Sequence, residues 1–458
     1  MIVVGLSHQS APIEIRERIA IAPKKVSEAL GRVRTIPSVS EAVILSTCNR
    51  VEVYASAEPG SNHRDVARQI VALLGEMGGR EIVPHLGTKL GTEAVRHLFR
   101  VASSLDSLVV GEPQILGQLK DAIRIATEAK ALGPELNVTM RSALQVAKRV
   151  RTETAIGEGQ VSVPSVAVDL AARIFEELSG KTALLVGAGE MAESAAKLLA
   201  RAGASVLVVN RSPERAENLA RSVGGRPAPW DQLEAMLIAT DIVISSTSSP
   251  VPVITKQMVK GLRRKRRGRS LFFIDIAMPR DVEPAVDELD FVIVYHIDDL
   301  SQVVAQTLEG RKSEAERAEA LVSTETRAFE ERSSQQAMKP LIVALRERTR
   351  AALAAELDKS FRGRLKHLSD EDRRALDKMA DAAVNKILHA PTKRLKALAA
   401  SPRSEEIAEL ICHLFEVDAE VPVSGRSERP VSRDDDSDDA VDDDDAVGEH
   451  SGPRIAVR

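Results

Sequence analysis

A cysteine set between short polar side chains and an arginine is a place where sulfur can act as a nucleophile. Cys48 stands in such a run, Ser46-Thr47-Cys48-Asn49-Arg50. The guanidinium of Arg50, two residues on, would lower the thiol pKa and favour the thiolate. A second pattern, Gly187-Ala188-Gly189-Glu190-Met191-Ala192, has the G-x-G-x-x-A spacing of a dinucleotide fingerprint. There Gly187 permits the tight turn, Gly189 lets the main chain approach a pyrophosphate, and the helix that follows offers its N–H groups. The next apolar run ends in Asn210-Arg211-Ser212, where an NAD site would carry Asp or Glu for the ribose 2′-OH. A guanidinium with two short polar neighbours suits a 2′-phosphate instead, so NADPH is the expected cofactor. A thiol and a nicotinamide make a coherent pair: the thiolate captures an acyl group as a thioester, and hydride reduces the thioester to an aldehyde.

Other residues are chemically capable but have bland alternatives. His97 could serve as an acid–base partner, or be a core or surface histidine. The segments Ser103-Ser104-Leu105-Asp106-Ser107 and Gly111-Glu112-Pro113-Gln114-Ile115-Leu116-Gly117-Gln118 combine polar groups with glycines and a proline, as a shaped loop at a helix start would. Arg263-Arg264-Lys265-Arg266-Arg267-Gly268-Arg269 could touch phosphate but reads as a solvated loop, and Cys412, beside His413, reads as packing. No His/Cys/carboxylate spacing indicates a catalytic metal.

The elements that must position these residues follow from periodicity. Apolar 1–6, 41–47 and 51–57 read as strands, the last two joined as a hairpin at Cys48-Asn49-Arg50. Helical patterns follow at about 63–77, 92–106, 113–130 and 134–154, and Gly157, Gly159 and Pro164 mark a linker. Strands at 182–186, 205–209, 241–245, 271–274 and 291–294 then alternate with helices, the signature of a parallel doubly wound sheet. From 300 to 336 the chain reads as one long charged helix, ~55 Å if continuous, a spacer or a subunit contact. Further helices run to about 415. The predicted domains are 1–158, 159–298, 299–420 and an acidic tail, 421–458, expected to be disordered.

Composition bounds the rest. The 458 residues need two or three domains, and two cysteines exclude a disulfide framework or a cysteine-rich metal site. The start is a poor signal peptide and no run reaches membrane-span length, so a cytoplasmic protein is expected. Residues 426–458 hold eleven acidic and five basic residues, a net of −6, which leaves +2 on 1–425. A near-neutral body with 8 Phe, 2 Tyr and 1 Trp cannot rest nucleic-acid binding on bulk charge or base stacking.

Taken together, the motifs resemble one family. Gly5-Leu6-Ser7-His8-Gln9-Ser10-Ala11-Pro12 with Arg16-Glu17 is similar to the opening of the glutamyl-tRNA reductases. Ser46 to Arg50 resembles their active-site segment, and Ser104 to Ser107 with Gly111 to Gln118 their substrate-recognition segment. The resemblance covers about residues 1–415 and implies an N-terminal α+β catalytic domain and a Rossmann-like NADPH-binding domain. A long spinal helix and an all-α dimerisation domain would follow. It implies NADPH-dependent reduction of glutamyl-tRNA(Glu) to glutamate-1-semialdehyde, the entry to tetrapyrrole synthesis by the five-carbon route. Cys48 would be the nucleophile and His97 the histidine needed for activity. Thr47, Asn49, Arg50, Ser107, Glu112, Pro113, Gln114 and Gln118 would contact substrate, with Arg50 able to hold the γ-carboxylate bidentately. Residues 187–192 and Asn210, Arg211 and Ser212 would hold the cofactor. It further implies a V-shaped homodimer that reads tRNA shape and passes its unstable aldehyde to an aminomutase. Two other readings stay open on the residues: a shikimate-dehydrogenase-like NADPH oxidoreductase that would not need Cys48, and a catalytically silent tRNA-binding relative.

Overall fold

The computed structural model describes residues 1–112, 114–157, 162–300, 312–401 and 403–418. Pro113, the stretch 301–311 of the expected spinal helix and the expected acidic tail lie outside the described residues. Among the described residues no helix is long and apolar enough to cross a membrane.

The first part of the chain builds an antiparallel sheet backed by helices. Its elements are β1 (Ile2–Ser7), α1 (Ile13–Ile19), α2 (Val26–Arg34), β2 (Val39–Ser46), β3 (Arg50–Ala57), α3 (His63–Gly78), β4 (Gly87–Leu90), α4 (Gly91–Ala102), α5 (Gln114–Glu128) and α6 (Pro134–Glu153). The strand order is β2-β3-β1-β4. Ser46 pairs with Val51 and Ser7 with Arg50, so the β2–β3 turn and the end of β1 meet at one edge of the sheet. β2 and β3 are buried along nearly their whole length because helices cover both faces. β4 was not expected; its Gly-Thr-Lys-Leu is too short and polar to show a strand period.

The helix expected to reach 106 stops at Ala102. Ser104 turns left-handed (φ 61°), its hydroxyl donates to the Glu112 carbonyl at 2.6 Å, and the Gly111 N–H returns to the Ser104 carbonyl. The polar run 103–112 is thus a closed loop, not a last helical turn. Gly111 itself has φ 89°, and a Cβ there would overlap the Ile156 carbonyl oxygen, so only glycine fits.

A second sheet follows, with α7 (Val163–Phe175), β5 (Thr182–Val186), α8 (Glu190–Arg201), β6 (Ser205–Val209), α9 (Pro213–Ser222), β7 (Arg226–Ala228), α10 (Leu233–Ala239), β8 (Ile242–Ser245), α11 (Lys256–Lys260), α12 (Leu262–Lys265), β9 (Leu271–Asp275) and β10 (Val292–His296). The order β10-β9-β8-β5-β6-β7 is all parallel, the doubly wound Rossmann arrangement. Its direction reverses between β5 and β8, and the glycine turn lies at the carboxyl end of β5 beside that switch point. The basic run 263–269 is only partly a solvated loop. Arg266 is buried and donates to the carbonyls of Leu237, Ile238, Thr240 and Ser270, closing the carboxyl end of α10.

The helical end comprises α13 (Lys312–Ala337), α14 (Lys339–Arg362), α15 (Asp370–Leu398) and α16 (Ser404–Phe415). Only Met338 separates α13 from α14. Ala318 and Val322 of α13 join the core of the first sheet, Phe329 meets Phe99 edge-on at 5.7 Å, and Glu319 pairs with Arg96 and Arg100. Met338, Leu341, Ile342, Leu345, Val384 and Leu388 form a separate small core, and Cys412 packs at its edge as expected.

Candidate active site

The Thr47 N–H donates to the Arg50 carbonyl at 2.8 Å, which leaves Cys48 and Asn49 as the two-residue tip of the β2–β3 hairpin. Thr47 Oγ1 accepts from the N–H groups of Asn49 and Arg50, both at 3.2 Å. The His8 N–H binds the Asn49 carbonyl at 2.8 Å. From α1, the buried Arg16 donates to the Cys48 carbonyl at 2.8 Å and to Asn49 Oδ1 at 3.4 Å, and it pairs with Asp298 beyond β10. The nucleophile candidate therefore sits on a tip fixed through its main chain.

Arg50 does not act on the thiol as its place in sequence suggests. Strand alternation puts Arg50, Glu52 and Tyr54 on one face of β3. Arg50 Nη1 meets Glu52 Oε1 at 3.0 Å and Nη2 binds the Asp106 carbonyl, while Glu52 also accepts from the Tyr54 hydroxyl. His97 Nε2 lies 2.8 Å from Glu52 Oε1, and its Nδ1 lies 3.5 Å from Asp106 Oδ2. Burial alone would raise the Glu52 carboxyl, but Arg50, then His97, outweigh it and hold the group at about 2. With Arg50 so engaged, burial pushes the Cys48 thiol up to about 12, and the charge of Glu112 adds to that. Arg16 and Arg50 oppose the shift without reversing it. The expected lowering of the thiol pKa is corrected here: the resting sulfur is a thiol. Glu52 and Tyr54 belong to no motif. Their period-two spacing with Arg50 is the signal that would have found them.

Thr47, Cys48, Asn49 and Arg50 line a narrow cleft together with Ser107, Glu112, Gln114 and Gln118. Every described residue that the resemblance assigns to substrate is thus in one place. Met191, from the glycine motif, completes the wall, and Gln114 Nε2 lies 2.7 Å from its sulfur. His97 lines a different cleft, with Glu52, Asp106, Arg96, Arg100 and Lys89. Arg16, absent from the motif-based site, is the further residue that touches the tip; a basic residue inside Ile13–Ile19 carries no signal that it is buried.

At the other end of Met191, the residues fit a dinucleotide. Gly187 has φ 111°, and a Cβ there would overlap the Ser246 carbonyl oxygen, so the turn admits only glycine. Ala188 is half-buried, Gly189 caps α8 and is exposed with Glu190, and Ala192 is buried against the sheet. The first N–H groups of α8 open onto the switch point. Arg211 is exposed, stacks over Trp230 at 5.4 Å, and donates to Ser249 Oγ at 3.0 Å, while Asn210 Nδ2 binds the Ser212 carbonyl at 3.1 Å. The guanidinium is held in place by these contacts. Among the described residues no group of three His, Cys, Asp or Glu is placed to hold a metal ion.

Comparison with known proteins adds three family matches. Residues 4–154 match the glutamyl-tRNA(Glu) reductase N-terminal domain, 169–303 the shikimate/quinate 5-dehydrogenase domain, and 317–417 the glutamyl-tRNA(Glu) reductase dimerisation domain. The chain is 54% identical over 440 residues to the glutamyl-tRNA reductase of Sorangium cellulosum, covering 92% of this chain and 83% of that one. It is 43% identical to the glutamyl-tRNA reductase of Trichlorobacter lovleyi, covering 91% and 96%. Among solved structures it is similar to the glutamyl-tRNA reductase of Methanopyrus kandleri, at 35% identity, with 91% and 98% of the two chains covered and a TM-score of 0.48.

Proposed function

This chain belongs to the glutamyl-tRNA reductase family, and on that footing we propose that it reduces glutamyl-tRNA(Glu) to glutamate-1-semialdehyde with NADPH through a thioester on Cys48. That reaction opens tetrapyrrole synthesis by the five-carbon route. The observation that carries the proposal is the single cleft that joins Cys48, the 107–118 segment and Met191 of the glycine motif. A sulfur nucleophile and a side chain from the first turn of the helix after the glycine turn share that cleft, an arrangement that neither a cysteine-independent dehydrogenase nor a silent tRNA binder requires.

In this mechanism the glutamyl ester lies in the cleft, with its polar groups facing Thr47, Asn49, Ser107, Gln114 and Gln118. Arg50 is the cation lining the cleft, but its two terminal nitrogens are engaged by Glu52 and the Asp106 carbonyl, so the γ-carboxylate meets its charge and not the open bidentate fork expected from the sequence. His97 works through Glu52, by holding the carboxylate that holds Arg50. Cys48 attacks the ester carbonyl and releases the tRNA, and the glutamyl group stays on sulfur. When bound along the turn at 187–192, the nicotinamide supplies the hydride that reduces this thioester. Domains 1–158, 159–298 and 299–420 divide the work into catalysis, cofactor binding and dimerisation. Purified protein with glutamyl-tRNA(Glu) and NADPH is expected to oxidise NADPH and yield deacylated tRNA and an aldehyde in equal amounts. Binding of tRNA without oxidation would sink the proposal.

NADPH over NADH rests on Arg211. Arg211→Ala is expected to weaken NADPH binding about tenfold, the ~1.4 kcal/mol of one charge-assisted contact, and to leave NADH binding unchanged. Equal losses for both cofactors in a fluorescence titration would remove Arg211 from 2′-phosphate recognition.

The dimerisation domain supports a homodimer. In the chain alone, Val343, Met379, Ile387, Leu398, Leu410, Leu414 and Phe415 of α14 to α16 are large apolar side chains left exposed, the kind of surface a second copy covers. A transient complex with glutamate-1-semialdehyde aminomutase, to receive the aldehyde, completes the proposal.

A further inference from the structure

The resting Cys48 sulfur carries a proton, and the proton must leave before or during attack. Of the eleven residues lining the cleft, Glu112 is the one carboxylic acid, and no histidine is among them. His97 lines the second cleft, and His8, whose N–H binds the hairpin tip, lines neither. Glu112 is 6% exposed. Its carboxylate takes a hydrogen bond from the Val163 N–H, and Oε1 has no hydrogen-bond partner among the described residues. A buried carboxylate oxygen left unpartnered is costly, and the residue that carries it is one of those lining the cleft that holds the thiol. Its backbone is pinned on both sides: Ser104 Oγ and Arg151 Nη2 both donate to the Glu112 carbonyl, at 2.6 and 3.1 Å.

We propose that Glu112 is the proton acceptor for Cys48 and the proton donor to the departing tRNA, a catalytic role beyond substrate contact. The role rests on the reaction proposed above. As sulfur bonds to the ester carbonyl carbon, the S–H proton passes to the Glu112 carboxylate. When the tetrahedral intermediate collapses, the C–O bond to the ribose breaks and the ribose oxygen takes that proton. The carboxylate is regenerated, the tRNA leaves with a free hydroxyl, and the thioester remains; this half of the reaction needs no reductant.

The charge state of Glu112 suits the task. Burial raises its carboxyl to about 7, against the Val163 hydrogen bond, so it exchanges protons near neutral pH. The groups facing it are the Cys48 thiol with Arg16 and Arg50 behind it, and Arg151 of α6 on its main chain. Its folded pKa lies above the ordinary carboxylate value, so the base form fills only as pH rises through about 7.

The test is single-turnover acylation of Cys48 by labelled glutamyl-tRNA(Glu), with the full chain and no nicotinamide present, followed across neutral pH. For the wild type, the rate is expected to rise through an inflection near 7. Glu112→Gln is expected to slow acylation by about 10²–10³-fold and to abolish the inflection, and Glu112→Asp to restore part of the rate. Alkylation of Cys48 by iodoacetamide, without tRNA, is expected to be faster in Glu112→Gln, because an anion beside the thiol has been removed. That opposite pair of changes also shows that the variant is folded with its cleft intact. Wild-type acylation rates in Glu112→Gln, a loss confined to apparent tRNA affinity, or a retained inflection would each overturn the role of Glu112 alone. No acylation of the wild type would overturn the proposed function and this role with it.

Discussion

Cys48→Ser is expected to lower the reduction of glutamyl-tRNA by at least about 10³-fold, the scale on which loss of a nucleophile acts, with tRNA binding and the fold retained. The retention follows from how the tip is built. Arg16, Thr47 and His8 hold Cys48 and Asn49 through main-chain groups and Asn49 Oδ1, and these contacts do not use the sulfur, whose own hydrogen bond is to the main chain of Cys48. A hydroxyl is nearly isosteric in that position. It fails chemically: its proton is far harder to remove than that of a thiol already raised to about 12. The oxygen ester it would form is also a poorer hydride acceptor than a thioester. The check is NADPH oxidation with glutamyl-tRNA(Glu), wild type beside variant, with trapping of radiolabelled acyl-enzyme. Full activity in the serine variant would remove sulfur from the route and return the chain to a cysteine-independent dehydrogenase. A wild type that binds tRNA but neither acylates nor oxidises would make it a silent relative.

Much of this site is readable in the sequence, for a physical reason that also explains what is not. Elements buried on both faces leave unbroken apolar runs: Thr182–Val186 and Ser205–Val209 are strands with the very bounds their composition suggests. The turn between 47 and 50 shows itself because two strands flank it at hairpin distance. The short edge strands β4 and β7 have no such signature, unlike the longer edge strands β2 and β10. β7 contains Arg226 and Pro227, and pairs on one side only. Side chains whose partners lie far along the chain are equally silent. Arg16 reads as a surface residue of Ile13–Ile19 until Cys48 and Asp298, 32 and 282 residues away, come to meet it. Arg266 hides inside a basic run in which its neighbours Arg263, Lys265 and Arg269 do face solvent and pair with Asp290, Glu234 and Asp241. Arg50 shows the limit most sharply. Adjacency in sequence couples it to Cys48, whereas strand alternation turns it to Glu52, and the electrostatics follow the strand.

That turn makes Arg50 the residue whose removal should cost most in stability as well as rate. Arg50 and Glu52 are 2% and 5% exposed, so truncation to alanine leaves a buried carboxylate with only His97 and Tyr54. Breaking one partner of a buried pair costs about 3–5 kcal/mol. Arg50→Lys keeps the charge but not the fork that reaches Glu52 and the Asp106 carbonyl together, so it should recover part of the stability and little of the activity. The cost has a definite pH dependence. Glu52 is held at about 2 in the folded chain against an ordinary 4.5, so its stabilisation is present above about 4.5 and lost as pH falls toward 2. Without Arg50, burial raises the carboxyl, and the variant takes up the proton while still folded. The stability difference between wild type and Arg50→Ala, measured by urea unfolding, should therefore be largest at neutral pH and shrink steadily through that acid window. A difference that stayed constant from neutral to acid would mean that Arg50 contributes packing alone, and that Glu52 is not the group that fixes its fork in the cleft.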